Sequence, residues 1–142
     1  MTVLDAYAVI AYLRDEAAAD AVGELLRTPT TLSTINAAEV IDQLVRVYGQ
    51  EPDDVHADLL LLSHVGMRLK DVPTHVGFSA GRLRELHYHR ERMAVSLADC
   101  VAAATALADG LPLATADPPL ATLVRAEGGK IYALSDTQGR LP

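Results

Sequence analysis

LPLATADPPL, residues 111–120, is the stretch of sequence that decides the fold. Its first half, LPLAT, is short and apolar, which is typical of a buried strand. Its second half places Asp117 before Pro118 and Pro119, and an acid followed by proline is typical of a helix N-terminus. A strand that passes almost directly into a helix favours an α/β fold with a parallel sheet.

The same alternation of strand and helix extends over the rest of the chain. Further short apolar runs, typical of strands covered on both faces, are TVLDA (2–6), TTLS (30–33), MRLKDV (67–72) and KIYAL (130–134). Helical patterns lie between them, at 8–27 with a break near Asp15, and at 35–48, 53–64, 76–89, 97–108 and 120–126. The pattern predicts one α/β domain over residues 1–142, with a mostly parallel sheet of four to five short strands.

Composition limits the classes of function. Half of the 142 residues are apolar and there is no tryptophan, so a packed core is expected. A net charge of −7 argues against broad binding of nucleic acid through its phosphates. The single cysteine, Cys100, cannot form an internal disulfide and fits a reducing cytoplasm. Neither a signal peptide nor a run of ~20 apolar residues is present, so we expect a cytoplasmic, unprocessed protein without a membrane segment.

Two acids stand at the ends of predicted strands. Asp5 interrupts the apolar run VLDAYAVIAYL with no basic residue nearby, and Asp117 ends LPLATAD. An unpaired buried charge costs several kcal/mol, so such acids need an explanation. Each of them can be a helix cap. Binding sites of open parallel sheets form beyond the carboxyl ends of the strands, where both acids lie.

Two more acids lie close to predicted helix starts. Asp99 follows Ser96 by three residues, which matches a capping box, and Glu39 follows Asn36 by three, which fits either a cap pair or a solvated helix face. If these two acids and the two at the strand ends face one crevice, they supply the oxygen ligands that Mg²⁺ prefers. The arrangement predicts a candidate site for a divalent cation.

Four segments, in order, resemble the PIN-domain nucleases, and among them the VapC-like ribonuclease toxins of type II toxin–antitoxin pairs: VLDAYAVIAYL, NAAEV, SLADCVAAATAL and GLPLATADPPL. The resemblance covers almost the whole chain. It implies a three-layer α/β/α sandwich, a single PIN-like nuclease domain over 1–142, and metal-dependent hydrolysis of RNA phosphodiester bonds with Mg²⁺ or Mn²⁺ as cofactor.

The resemblance also implies the roles of individual residues. The acidic quartet of the family falls on Asp5, Glu39, Asp99 and Asp117, which are the implied catalytic and metal-binding residues. Asp5 and Asp99 are expected as direct ligands, and the other two as direct or water-mediated ligands. Thr115 is expected to orient a carboxylate or a water molecule.

Three neighbours complete this expectation. Asn36 and Ser96 are expected to support the quartet without binding the metal directly. Such proteins commonly carry serine or threonine two residues after the first aspartate, where this chain has Tyr7. The small hydroxyl that orients ligands in the family is therefore missing or replaced by a phenol.

Partners are expected on two further segments. GRLRELHYHRER, residues 81–92, is either a solvated helix end or a basic rim that binds RNA through Arg82 and Arg84; the spacing of His87 and His89 on a helix does not favour zinc. DVHADLLLLSHV, residues 54–65, is more apolar than a one-faced helix needs, so it serves the core, a homodimer or a partner peptide. The resemblance implies both a homodimer and a small cognate antitoxin that inhibits the enzyme.

Two other classes of protein stay open at this point. One is a catalytically silent binding module with the same fold, in which helix capping explains all four acids. The other is a phosphoacceptor receiver domain, which is also a parallel α/β fold with an acidic Mg²⁺ pocket. A receiver domain needs an acid after its third strand, and Asp71 is the only candidate there.

Overall fold

The computed structural model describes all 142 residues and contains one sheet of five parallel strands. The strands are β1 (Thr2–Leu4), β2 (Thr30–Ser33), β3 (Met67–Lys70), β4 (Leu113–Thr115) and β5 (Ile131–Ala133). Their order across the sheet is β3-β2-β1-β4-β5. The α/β prediction is confirmed, and the sheet is parallel throughout.

Seven α-helices connect and cover the strands: α1 (Ala6–Leu13), α2 (Ala19–Leu26), α3 (Thr34–Asp42), α4 (Pro52–His64), α5 (Thr74–His87), α6 (Leu97–Asp109) and α7 (Pro118–Ala126). A π-helical turn, Gln43–Val47, continues α3. The predicted break near Asp15 is confirmed, because Asp15 has a φ of 55° between α1 and α2. That left-handed conformation cannot continue a right-handed helix.

The helices form two layers, one on each face of the sheet. On β1, Val3 packs with α5, α6 and α7, while its neighbour Leu4 packs with α1 to α4. On β4, Leu113 and Ala114 divide in the same way. Successive side chains of a strand point to opposite faces, so each strand contributes to both cores. The three-layer α/β/α sandwich is therefore confirmed.

The edge strands differ from the expectation that the strands are buried on both faces. All residues of β1, β2 and β4 are buried. At the edges, Arg68 and Leu69 of β3 and Tyr132 of β5 are exposed. An edge strand has a neighbour on one side only, which leaves part of its surface in water.

The topology brings the strand ends of β1 and β4 together. From β1 the chain builds outward through β2 to β3, and β4 and β5 then extend the sheet on the other side. This change of direction lies between β1 and β4, the position where open parallel sheets bind ligands. Asp5 alone separates β1 from α1, and Ala116 and Asp117 separate β4 from α7. No helix of the structure combines the length and apolar character needed to cross a membrane.

Candidate active site

A crevice of about 290 Å³ lies at the carboxyl ends of β1 and β4. All four acids that the sequence singled out line this acid crevice, and they come from four different segments of the chain. The complete lining is Asp5, Ala6, Tyr7, Ile10, Glu39, Gln43, Tyr48, Asp99 and Asp117. The convergence that the sequence predicted is present, and no lysine or arginine is among the lining residues.

Asp5 is the most buried of the four acids, with 3% of its surface exposed. It caps α1 by accepting a hydrogen bond of 2.8 Å from the backbone N–H of Ala8. Burial raises the pKa of Asp5 to about 7 from an ordinary value of 3.8, although hydrogen bonds from Thr115 and Ala8 act in the opposite direction. The charges of Asp99 and Glu39 add to the rise. Capping alone does not require a carboxylate in so unfavourable a position.

Asp99 and Asp117 also cap helices that begin at the crevice. Asp99 accepts a bond of 2.7 Å from the N–H of Ser96, whose hydroxyl accepts from the N–H of Asp99, so the predicted capping box of α6 is confirmed. Asp117 accepts from the N–H of Leu120 at 3.2 Å and caps α7. Burial, followed by the charge of Asp99, raises the pKa of Asp117.

Glu39 is held by a buried network rather than by a cap. The cap of α3 is Ser33, which accepts from the N–H of Asn36, so the interpretation of Asn36 and Glu39 as a cap pair is wrong. The amide nitrogen of Asn36, which is fully buried, lies 3.5 Å from Glu39 and donates to the carbonyl of Ala98 at 3.1 Å. Asn36 therefore connects β2, α3 and the start of α6. Burial, followed by the charge of Asp99, raises the pKa of Glu39.

Thr115 links the acids at the two strand ends. Its hydroxyl, fully buried, accepts from the N–H of Asp117 at 3.0 Å and lies beside Asp5, whose pKa it lowers. Tyr7 stands where a small hydroxyl side chain is common in the family, and its hydroxyl contacts no acid of the crevice. Its phenol donates to the carbonyl of Ser135 at 3.1 Å, beyond β5, and ties the C-terminal segment to α1. The hydroxyl of Tyr7 is therefore committed to a backbone contact.

The charge balance of the acid crevice favours a cation. Asp99 is the common neighbour, since its charge raises the pKa of each of Asp5, Glu39 and Asp117. With no basic side chain in the lining, like charges face each other at the cost of about 1–3 kcal/mol per pair at an effective dielectric near 20. The donor set consists of carboxylate oxygens, which are the ligands of Mg²⁺ and Mn²⁺. The residues present therefore fit a divalent cation.

The carboxylates do not form a closed cage. No group of three His, Cys, Asp or Glu side chains in this structure is arranged to hold one ion. Three of the four acids each use one oxygen on a helix cap, which limits their approach to one another. This arrangement agrees with the habit of Mg²⁺, which keeps several waters and takes one or two carboxylates directly.

Arg82 and Arg84, the predicted RNA-binding pair, do not line the acid crevice. Arg82 is exposed beside a separate groove formed by α5, α6 and Glu127. Arg84 donates its Nε to the carbonyl of Val95 at 3.1 Å and stacks on Tyr88. Arg84 therefore fixes the segment that precedes α6, whereas Arg82 is free to meet a ligand.

Four residues near the crevice were not singled out from the sequence. Ile10, Gln43 and Tyr48 line it, and the guanidinium of Arg14 lies 3.5 Å from the centre of the Tyr48 ring. Ile10 lies on the face of α1 that carries Ala6, which also lines the crevice. Gln43 follows Glu39 by four residues, which places both on one helix face. Tyr48 owes its position to the π-helical turn, which no local pattern predicts.

A sequence model of the PIN domain matches residues 2–124. The chain belongs to the PIN domain family. The resemblance seen in the sequence is thereby confirmed. Comparison with curated protein sequences found no match.

Solved structures share the fold of this PIN domain at low sequence identity. The chain matched in VapBC2 from Rickettsia felis, bound to a DNA fragment from their promoter, has a TM-score of 0.68 and 16% identity, over 92% of this chain and 96% of that one. VapC20 from Mycobacterium tuberculosis is described as a sarcin-ricin loop cleaving toxin. It has a TM-score of 0.66 and 19% sequence identity, and the match covers 86% of this chain and 94% of that one. FitAcB from Neisseria gonorrhoeae has a TM-score of 0.66 and 20% sequence identity, and the match covers 93% of this chain and 96% of that one.

Proposed function

We propose that this PIN domain is a metal-dependent endoribonuclease that acts as the toxin of a toxin–antitoxin pair and is inhibited by a cognate antitoxin. The observation that carries the proposal is the acid crevice, in which acids from four segments converge without a basic residue. The family match and the VapC-like fold support the same class of activity.

Mg²⁺ or Mn²⁺ is the cofactor that we assign to the crevice. Asp5 and Asp99 are the proposed direct ligands, and Glu39 and Asp117 bind directly or through water. When bound, the cation supplies an activated water and stabilises negative charge on the scissile phosphate. No side chain of the chain has to act as a nucleophile.

The residues of the protein orient this chemistry. Asn36 connects Glu39 with the start of α6, and Thr115 contacts Asp117 and lies beside Asp5. Helices α1, α3, α6 and α7 all begin at or next to the crevice, so their N-termini direct partial positive charge towards it. That field favours the ionised acids and an anionic phosphate alike.

RNA, an antitoxin and a second copy of the chain are the proposed partners. Arg82 remains the candidate for a phosphate contact outside the crevice. Helix α4 has apolar residues that the core does not use, because Leu59 and Leu62 are buried while Leu60 and Leu61 are 46% and 63% exposed. This surface supports a protein partner, either an antitoxin or a homodimer.

A catalytically silent binding module is the second candidate, because helix capping accounts for Asp5, Asp99 and Asp117. The receiver domain is not supported. Asp71 follows the edge strand β3 and lies outside the acid crevice, and the chain matches the PIN family.

Cleavage of RNA by the purified protein tests the proposal. Structured and single-stranded RNAs are incubated with Mg²⁺, with Mn²⁺ or with a chelator, beside Asp5→Asn and Asp99→Asn. We expect metal-dependent cleavage that falls on the order of 10³-fold or more in both variants, since a lost metal ligand removes several kcal/mol of transition-state stabilisation. Asp53→Asn, an exposed acid at the start of α4, is the control. Binding without cleavage in any metal would favour the silent module.

A further inference from the structure

Tyr48 is an exposed aromatic side chain in a cavity whose other polar groups are mostly acids. It lines the acid crevice together with the four carboxylates, yet 43% of its surface is exposed. The sequence gives no sign of this, because Tyr48 lies nine residues beyond Glu39 and outside every segment that resembles the family. An aromatic ring that water reaches beside a charged site is a candidate for ligand contact.

Arg14 covers one face of the ring. Its guanidinium carbon lies 3.5 Å from the ring centre, and its Nε donates to Glu16 at 2.9 Å. Glu16 thereby fixes the guanidinium over the ring, while the terminal nitrogens of Arg14 make no hydrogen bond within the protein. Arg14 is not part of the crevice lining, whereas the ring that it covers is. A ring backed by a cation is a preorganised surface for stacking.

The backbone around Tyr48 is also fixed. Its N–H donates to the carbonyl of Gln43 at 3.2 Å, across the π-helical turn, and Gly49 closes the turn with a φ of 69° and a bond of 3.0 Å to Val45. The left-handed φ explains why glycine follows the tyrosine. π-Helical turns inside α-helices recur at functional sites. Here the turn spans Gln43–Val47, and Tyr48 follows it at the crevice.

We propose that Tyr48, backed by Arg14, stacks on an unpaired nucleobase of the RNA whose phosphate lies over the acids. This rests on the proposed function, because it assigns a base to the crevice in which the phosphate is cut. The crevice of about 290 Å³ is small for a ligand cleft, so it takes a single nucleotide and not a duplex. Stacking on tyrosine tolerates any base but needs an unpaired one, which duplex RNA does not offer.

Anisotropy of two labelled probes tests the stacking. One probe is an eight-nucleotide oligoadenylate, and the other is an abasic ribose-phosphate strand of the same length. All proteins carry Asp99→Asn to prevent cleavage, in Mg²⁺ buffer. Tyr48→Ala should weaken binding of oligoadenylate about 5- to 100-fold and leave binding of the abasic strand unchanged. Tyr48→Phe should restore most of the affinity, and Arg14→Gln should cost about 2- to 5-fold.

Two further variants keep the test decisive. Tyr48→Leu retains apolar bulk without a flat ring and should behave as Tyr48→Ala does. Tyr132→Ala removes an exposed tyrosine on β5, outside the crevice, and should match the parent protein. Equal loss on both probes would mean that Tyr48 only shapes the crevice, and unchanged binding of oligoadenylate would mean that the ring contacts no base; either result overturns the proposal.

The wild-type protein separates this inference from the proposed function. Metal-dependent cleavage by the wild type, together with unchanged oligoadenylate binding in Tyr48→Ala, overturns the stacking and leaves the nuclease standing. Neither cleavage nor RNA binding by the wild type overturns both.

Discussion

The acid crevice and the basic segment at residues 81–92 were assembled in opposite ways. The four acids come from distant parts of the chain and line one cavity. The basic residues are neighbours in sequence and separate in space: Arg84 bonds to Val95, His87 to Glu127, and Arg82 faces another groove. Residues that follow the carboxyl ends of neighbouring parallel strands meet at one edge of the sheet. Residues that are neighbours along a helix point in different directions around its axis.

The largest expected effect is on the free energy of unfolding, because the acids of the crevice repel one another. The pKa of Asp5 is about 7 in the folded protein and 3.8 as an ordinary carboxyl, so the folded state binds the extra proton between these values. The free energy of unfolding therefore falls as pH rises from about 4 to 7. Asp5→Asn removes this penalty, and without metal it should be more stable than the wild type by about 2–4 kcal/mol at pH 8, with the gap closing near pH 4.

Urea unfolding at several pH values, with chelator and then with Mg²⁺ or Mn²⁺, measures this difference. Bound metal should raise the melting temperature of the wild type and leave Asp5→Asn nearly unaffected, through linkage of binding to folding. Asp42→Asn, an exposed acid paired with Arg46, is the control and should respond to metal as the wild type does. A gap independent of pH and of metal would contradict the clustering of charge around Asp5.

The second effect is on metal affinity and concerns Asn36, which holds Glu39 at the crevice. Asn36→Ala removes the amide that lies beside Glu39 and anchors it to the carbonyl of Ala98. Metal affinity, followed by calorimetry, should fall about 10- to 100-fold, the usual cost of removing an outer partner of a metal ligand. Ile35→Ala, on an exposed neighbour in the same helix, should leave metal affinity unchanged. Unaltered affinity in a folded Asn36→Ala protein would show that Glu39 needs no such support.

The fold and the positions of the four acids could be predicted from the sequence because both depend on signals in short segments of the chain. Short apolar strands, caps and proline positions mark where each strand meets a helix, as at Asp5 and Asp117, and the parallel topology then places those junctions together. The position of Tyr48 could not be predicted, because a π-helical turn leaves no periodic signal. The contact of Tyr7 with Ser135 spans nearly the whole chain and depends on tertiary packing alone.

The smallest effect concerns the basic segment itself. Arg82 is exposed and has no protein partner, so Arg82→Gln should lower the slope of log affinity for RNA against log salt by about one if Arg82 contacts a phosphate. Arg84→Gln breaks the bond to Val95 and should lower the melting temperature instead. The two neighbours thus separate binding from structure. An unchanged salt slope in Arg82→Gln would make this part of α5 a solvated helix end, and the helix N-termini at the acid crevice would remain a candidate source of positive field for a phosphate.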